Sequence, residues 1–163
     1  MMTGGGAIVD QAGSGPRSVT DLNVAEQFVL WALRIRLEGA GKRAHLEHGF
    51  RLARDHAAGG AALAAFEAWF EVLAMHCWRD LHLHRAPCPC LSGDERTMLD
   101  LVARAQAGDE IRLRRVAAGL VHPRAIGLLQ ESSRTFALAL CLLGLRLSGR
   151  SLRPGRSAAG PLH

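Results

Sequence analysis

Six side chains able to bind metal or carry thiol chemistry fall within fifteen consecutive residues, His76 to Cys90. They are His76, Cys77, His82, His84, Cys88 and Cys90, half of the 8 His and 4 Cys in the chain. Imidazole and thiolate are the side chains that zinc and its neighbours prefer, and a structural zinc takes four of them in a tetrahedron. The segment could supply them from three places. A helix end offers His76 or Cys77, an extended arm offers His82 and His84, and a turn offers Cys88 and Cys90. The zinc site expected here joins Cys88 and Cys90 to two of His76, His82 and His84.

Local chemistry favours this reading in two ways. Pro87 and Pro89 flank Cys88 and restrict its backbone, which lowers the entropy lost in holding the thiolates. Cys90 lies just before an expected helix N-terminus, whose positive dipole end would favour its thiolate. The spacing argues the other way. Common sites use Cys-x₂₋₄-Cys with a distant second pair, whereas His-x-His-x₃-Cys-x-Cys is compact and strains a tetrahedron. The competing account makes Cys88 and Cys90 small buried residues at a tight turn and leaves the histidines in solvent. A reactive dithiol is a further reading, but the Cys-x-x-Cys spacing and βαβ setting of an oxidoreductase are both missing. A di-metal carboxylate bundle needs Glu-x-x-His on two helices, and the chain contains no Glu-x-x-His.

The elements that must position these residues read as helices. From Asp21 to Glu38, the residues Leu22, Ala25, Phe28, Val29, Ala32, Leu33 and Ile35 recur at helical spacing, with Asn23 and Glu26 as a cap pair. Asn23, Gln27, Arg34 and Glu38 mark its expected wet side. A second helix is expected over Lys42–Ala57, stopped by Gly59-Gly60. A third follows over Ala61–Asp80, with Phe66, Trp69, Phe70, Leu73 and Cys77 along one face. Leu81-His82-Leu83-His84 alternates, so an extended chain puts both histidines on one side and both leucines on the other. Pro87 and Pro89 exclude helix around them. Ser92 and Glu95 form a capping box that opens a fourth helix running to Ala107. Gly108 stops it, Asp109 caps a short fifth helix ending near Val121, and His122-Pro123 breaks the chain. A sixth helix is expected over Arg124–Leu147, and the apolar second half of that helix must be buried or covered by a partner.

The fold class is therefore all-α, a bundle of five or six helices with a short non-helical insert at about 81–91. The expected organisation is a leader over 1–18, a helical domain over 19–148 and a basic tail over 149–163. The leader and tail are Gly-, Arg-, Pro- and Ser-rich and lack apolar periodicity, which reads as disorder.

Totals narrow the function classes. The 163 residues suit one domain. The net charge of +5 invites a nucleic-acid partner, but it is unevenly placed. Arg146, Arg150, Arg153 and Arg156 are the last four basic residues, and no acid follows them, so residues 1–145 hold 16 basic and 15 acidic groups. Nucleic-acid binding is expected only weakly, through the tail. The cluster of Arg112, Arg114 and Arg115 reads as a solvated face. His45, His48, His56 and His122 read as surface or turn residues, and Cys141 as an inert core thiol. Four cysteines do not make a disulfide scaffold, which points to a reducing, cytoplasmic setting. No secretory h-region appears at the N-terminus. The longest apolar run, Phe136–Leu145, is too short to span a bilayer. The resulting expectation is a small, non-enzymatic interaction or regulatory protein whose partner is another protein or a second copy. The alternatives are a metal- or thiol-dependent enzyme using the same insert and a nucleic-acid binder using the tail.

Overall fold

The computed structural model describes residues 16–149. Six α-helices make up the described residues: α1 Val24–Leu37, α2 Arg43–Leu52, α3 His56–His76, α4 Gly93–Ala107, α5 Glu110–Leu120 and α6 Ile126–Leu142. Short 3₁₀ turns at Val19–Asp21, Ala40–Lys42 and Pro123–Ala125 precede α1, α2 and α6. No strand forms among the described residues; Ser18 with Cys90 and Cys77 with Val121 make isolated antiparallel bridges. The all-α bundle expected from the periodicity is the fold observed.

The helix starts follow their caps. In α1 the Glu26 N–H donates to Asn23 Oδ1 at 2.8 Å and the Asn23 N–H donates to Glu26 Oε2 at 2.9 Å. The same reciprocal pair opens α4, between Ser92 and Glu95, at 3.0 and 2.9 Å. Each box satisfies two amides that a helix N-terminus otherwise leaves without partners. Asp109 caps α5, and Gly108 ends α4 in the left-handed region at φ 68°, a conformation that costs glycine nothing.

Several boundaries differ from expectation, among them the end of α3, which lies at His76 and not at Asp80. The break between α2 and α3 lies at Ala53–Asp55, and Gly59-Gly60 is inside α3. Asp55 caps α3 by accepting from the Ala58 N–H at 2.7 Å, and Gly59 serves packing. A Cβ on Gly59 would sit 2.4 Å from the Phe50 carbonyl oxygen, so glycine lets α3 touch the end of α2. Similarly, α6 stops at Leu142. Gly144 turns left-handed at φ 78°, and the Leu145 N–H donates to the Leu140 carbonyl at 2.9 Å. The chain then runs back as an arm. Gln106 Oε1 accepts from the Leu147 N–H at 2.8 Å, and Ser148 donates to the Glu26 carboxylate. The ordered framework also starts before residue 19. The Leu91 N–H donates to the Arg17 carbonyl at 3.1 Å, and the Val19 N–H donates to that of Pro89 at 2.8 Å. Residues 1–15 and 150–163, which hold most of the expected leader and tail, lie outside the described residues.

The core centres on α3, which contacts α2 and α6, while α6 also lies on α4 and α5. Phe28, Phe50, Phe66, Trp69 and Phe136 form a continuous aromatic file with ring centroids 4.9–6.2 Å apart. The buried Trp69 indole N–H donates to Ser133 Oγ at 3.1 Å, so its one polar atom is satisfied. α3 is also long and apolar enough, by length and composition, to cross a membrane. In this fold its Phe66, Trp69 and Leu73 are buried in the bundle core. The inner face of α6 is buried, but Leu128, Leu138 and Leu142 are at least half exposed.

Candidate functional site

The connector from Cys77 to Ser92 runs between α3 and α4 without helix, and a buried ion pair organises it. Arg34, expected on the wet side of α1, is 2% exposed and pairs with Glu95, which is 0% exposed. Arg34 Nε donates to Glu95 Oε1 at 2.8 Å and Nη2 to Oε2 at 3.0 Å. The remaining guanidinium hydrogens go to connector carbonyls. Nη1 serves Cys88 at 2.6 Å and Ala86 at 3.5 Å, and Nη2 serves Cys90 at 2.7 Å. All five donors of the fork are thus used. The carboxylate is equally full, because Glu95 also accepts from the Ser92 N–H and from the His84 N–H at 3.0 Å. A buried charge pair persists only with this degree of satisfaction.

Asp94 repeats the device one residue earlier. It takes Arg79 bidentately at 2.6 and 3.0 Å and the His82 N–H at 2.7 Å. Ser92 Oγ donates to the His82 carbonyl. The backbone groups of residues 82, 84, 86, 88 and 90 therefore all turn towards side chains of α1 and the start of α4. Alternate residues of an extended chain present their backbone groups to one side, as His82 and His84 do towards Asp94 and Glu95; past a turn at Ala86-Pro87, the carbonyls of Ala86, Cys88 and Cys90 converge on Arg34. Charges respond accordingly. Hydrogen bonding from Arg79 holds the Asp94 carboxyl below the usual carboxylate range against the pull of burial. Burial would push Glu95 up, but its bonds from Arg34, Ser92 and His84 bring it below the ordinary value.

The expected ligand residues separate into pairs. His82 and His84 share a face, as the alternation required, with ring centroids 5.0 Å apart. Cys88 and Cys90 lie close enough for the Cys88 thiol to perturb that of Cys90. His76 ends α3, where its carbonyl accepts from the His122 N–H at 3.0 Å. Among the described residues, no three His, Cys, Asp or Glu side chains gather as a metal-holding group. The four-ligand convergence expected of Cys88, Cys90 and two of His76, His82 and His84 is not present in this arrangement. The backbone of the connector is committed to Arg34, Asp94 and Glu95, and between the histidine pair and the cysteine pair it turns at Ala86-Pro87, where the Cys88 N–H donates to the Arg85 carbonyl at 3.0 Å. The expected lowering of the Cys90 thiol is reversed as well. The neighbouring Cys88 thiol pushes it up, and the Cys88 charge and burial add to this against Arg34. The Cys77 thiol is raised by burial.

Leu81 and Leu83, on the other side of the connector, wall a cavity of about 330 Å³ whose remaining lining includes Leu73, Trp78 and Met98. Leu37 and Trp78 line it while remaining 50% and 54% exposed, so they form its rim. The Trp78 ring is fixed: its indole N–H donates to the Gly119 carbonyl at 2.9 Å, and the Arg79 guanidinium lies 5.6 Å from its centre. Neither the cavity nor the Arg34–Glu95 node was visible in the sequence. The capping-box signal at Ser92–Glu95 pointed to Glu95, but its partner is 61 residues away.

The class these features define is an all-α bundle with a non-helical connector tethered by side chains. Compared with family models, with curated proteins and with solved structures, the chain matches none.

Proposed function

We propose that this is a non-enzymatic interaction domain that seats a short apolar segment of a partner protein in the cavity between α1, α3 and the connector. The observation that carries this is the rim. A half-exposed Trp78, held in one orientation, and a half-exposed Leu37 flank a space of about 330 Å³ lined mostly by apolar side chains, with Arg79 and Asp80 as its charged members. Cavities of this size and lining are the usual form of a binding site, and tryptophan dominates the energetics of protein contacts. The tethered connector supplies a preformed wall, which reduces the ordering cost of binding. A cytoplasmic location goes with this reading, since the site is bordered by free thiols.

The test is selection from a random peptide display library, followed by titration of the selected peptides. Selected peptides should share apolar anchors, shift the Trp78 indole resonance, and lose at least about tenfold in affinity to Leu37→Glu. Peptides that bind L37E and Trp78→Ala as well as wild type would overturn the proposal.

A second reading keeps the zinc site, because the His82–His84 and Cys88–Cys90 pairs lie on one connector. It requires the connector to rearrange and bring the pairs together. Elemental analysis of untagged protein tests it. Stoichiometric zinc that is lost in the C88S/C90S variant supports it, and zinc-free protein that takes up none on titration sinks it.

A further inference from the structure

A second cavity, of about 470 Å³, shares no residue with the first. It lies where the end of α4, the start of α5 and the returning arm meet. Three arginines from these three elements line it: Arg104, Arg112 and Arg146. No acidic side chain is in its lining. We propose that this cavity binds a small molecule carrying phosphate or diphosphate.

The arrangement of the arginines supports this. Arg104 is gripped at Nε by Asp100 at 3.1 Å, and Arg112 Nε lies 3.6 Å from Asp109. Neither carboxylate lines the cavity. Asp100 therefore holds Arg104 from behind through one donor, while Asp109 faces the 58% exposed Arg112 at ion-pair distance without a side-chain hydrogen bond; both arginines keep their two terminal amino groups available. That end of the fork matches phosphate oxygens. The Arg104 side chain is only 14% exposed, so its charge acts in a partly dry setting where it attracts an anion more strongly than in water. Arg146 makes no side-chain ion pair among the described residues, and the arm that carries it is held in place. Gln106 donates to the Leu145 carbonyl at 2.9 Å and accepts from the Leu147 N–H at 2.8 Å. The Asn23 side chain donates to the Arg146 carbonyl at 3.0 Å. Three cations supplied by three elements around a volume typical of small-molecule sites suit a ligand with two linked anionic groups better than a single ion.

The experiment uses the full chain and inorganic pyrophosphate. Pyrophosphate should raise the melting temperature and give a saturable heat of binding. Arg146→Gln should weaken binding at least about fivefold without lowering the melting temperature of the free protein, since its side chain holds nothing in place. Arg104→Gln with Arg112→Gln should weaken binding further. Equal shifts in wild type and in the triple R104Q/R112Q/R146Q variant would overturn the site and leave only general surface charge. Citrate binding as tightly as pyrophosphate would overturn the phosphate assignment. A long oligonucleotide that outcompetes pyrophosphate would overturn the small-molecule assignment in favour of a nucleic-acid face.

Discussion

Phe66, Trp69 and Phe136 in the aromatic file through α3 and the Arg34–Glu95 node beneath the connector are all buried, yet the two groups hold the chain in opposite ways. Around Phe66, Trp69 and Phe136 the attraction is dispersion and water exclusion, which depend on volume and area more than on direction. Around Arg34 and Glu95 it is directional, with every donor and acceptor assigned. An apolar core tolerates exchange of one shape for another of similar volume. A saturated charge node does not tolerate removal of one member, because the partner is left charged, buried and unsatisfied. The bundle is held by the first mechanism, and the cavity wall that carries the proposed function is held by the second.

The largest expected effects test this contrast directly. Trp69→Ala removes the largest ring of the file and leaves Ser133 without its donor. It should cost about 3–5 kcal/mol in chemical denaturation. Glu95→Ala should cost a similar roughly 3–5 kcal/mol, through a buried guanidinium left unpaired. The two differ in what recovers. Removing both partners, as Arg34→Met with Glu95→Leu, should cost less than the sum of the single changes. The connector amides of His82 and His84 should nevertheless exchange faster than in wild type. Additive costs would show that the pair is not a unit.

Gly59→Ala sharpens the core side of the comparison. Its Cβ would meet the Phe50 carbonyl, so an expected cost of roughly 1–3 kcal/mol should appear as a changed α2–α3 contact. A neutral Gly59→Ala would mean that this packing yields more readily than a close-packed interior should.

Acid should separate the two regions further. Asp94 and Glu95 are held below the ordinary carboxylate range by their hydrogen bonds. Their contribution is complete above the unfolded carboxyl values of about 4 and is lost as pH falls through their lower folded values. Asp100 runs the other way. Burial raises it against the pull of Arg104, so its ionisation costs stability, and that cost disappears as pH falls through its folded value. Glu95→Gln should flatten the acid limb of a stability–pH curve, whereas Asp100→Asn should steepen it.

The smallest effect is expected at the cysteines. Cys88 and Cys90 meet Arg34 through their carbonyls, which serine retains. C88S/C90S should therefore melt with wild type. A large drop would show that the thiol pair itself holds the connector, through a metal or otherwise.

Much of the architecture was legible in the sequence because its signals are local. Asn23 with Glu26, Ser92 with Glu95 and Gly108 with Asp109 mark helix ends by chemistry acting over three or four residues. The alternation over Leu81–His84 places leucines and histidines correctly because the period of an extended chain is also local. Missed in the sequence were Asp55, which caps α3, and Gly144, whose left-handed turn follows the end of α6. What only the tertiary structure decided is which polar residues are buried and which ligand-type residues meet. Arg34 has the spacing of a surface residue, and nothing near it in the chain announces Glu95 or the Cys88 and Cys90 carbonyls. Clustering in sequence brought six His and Cys together on paper. In space, the backbone bonds to Arg34, Asp94 and Glu95 and the turn at Ala86-Pro87 decide where each pair sits, and among the described residues these side chains do not gather into a metal-holding group.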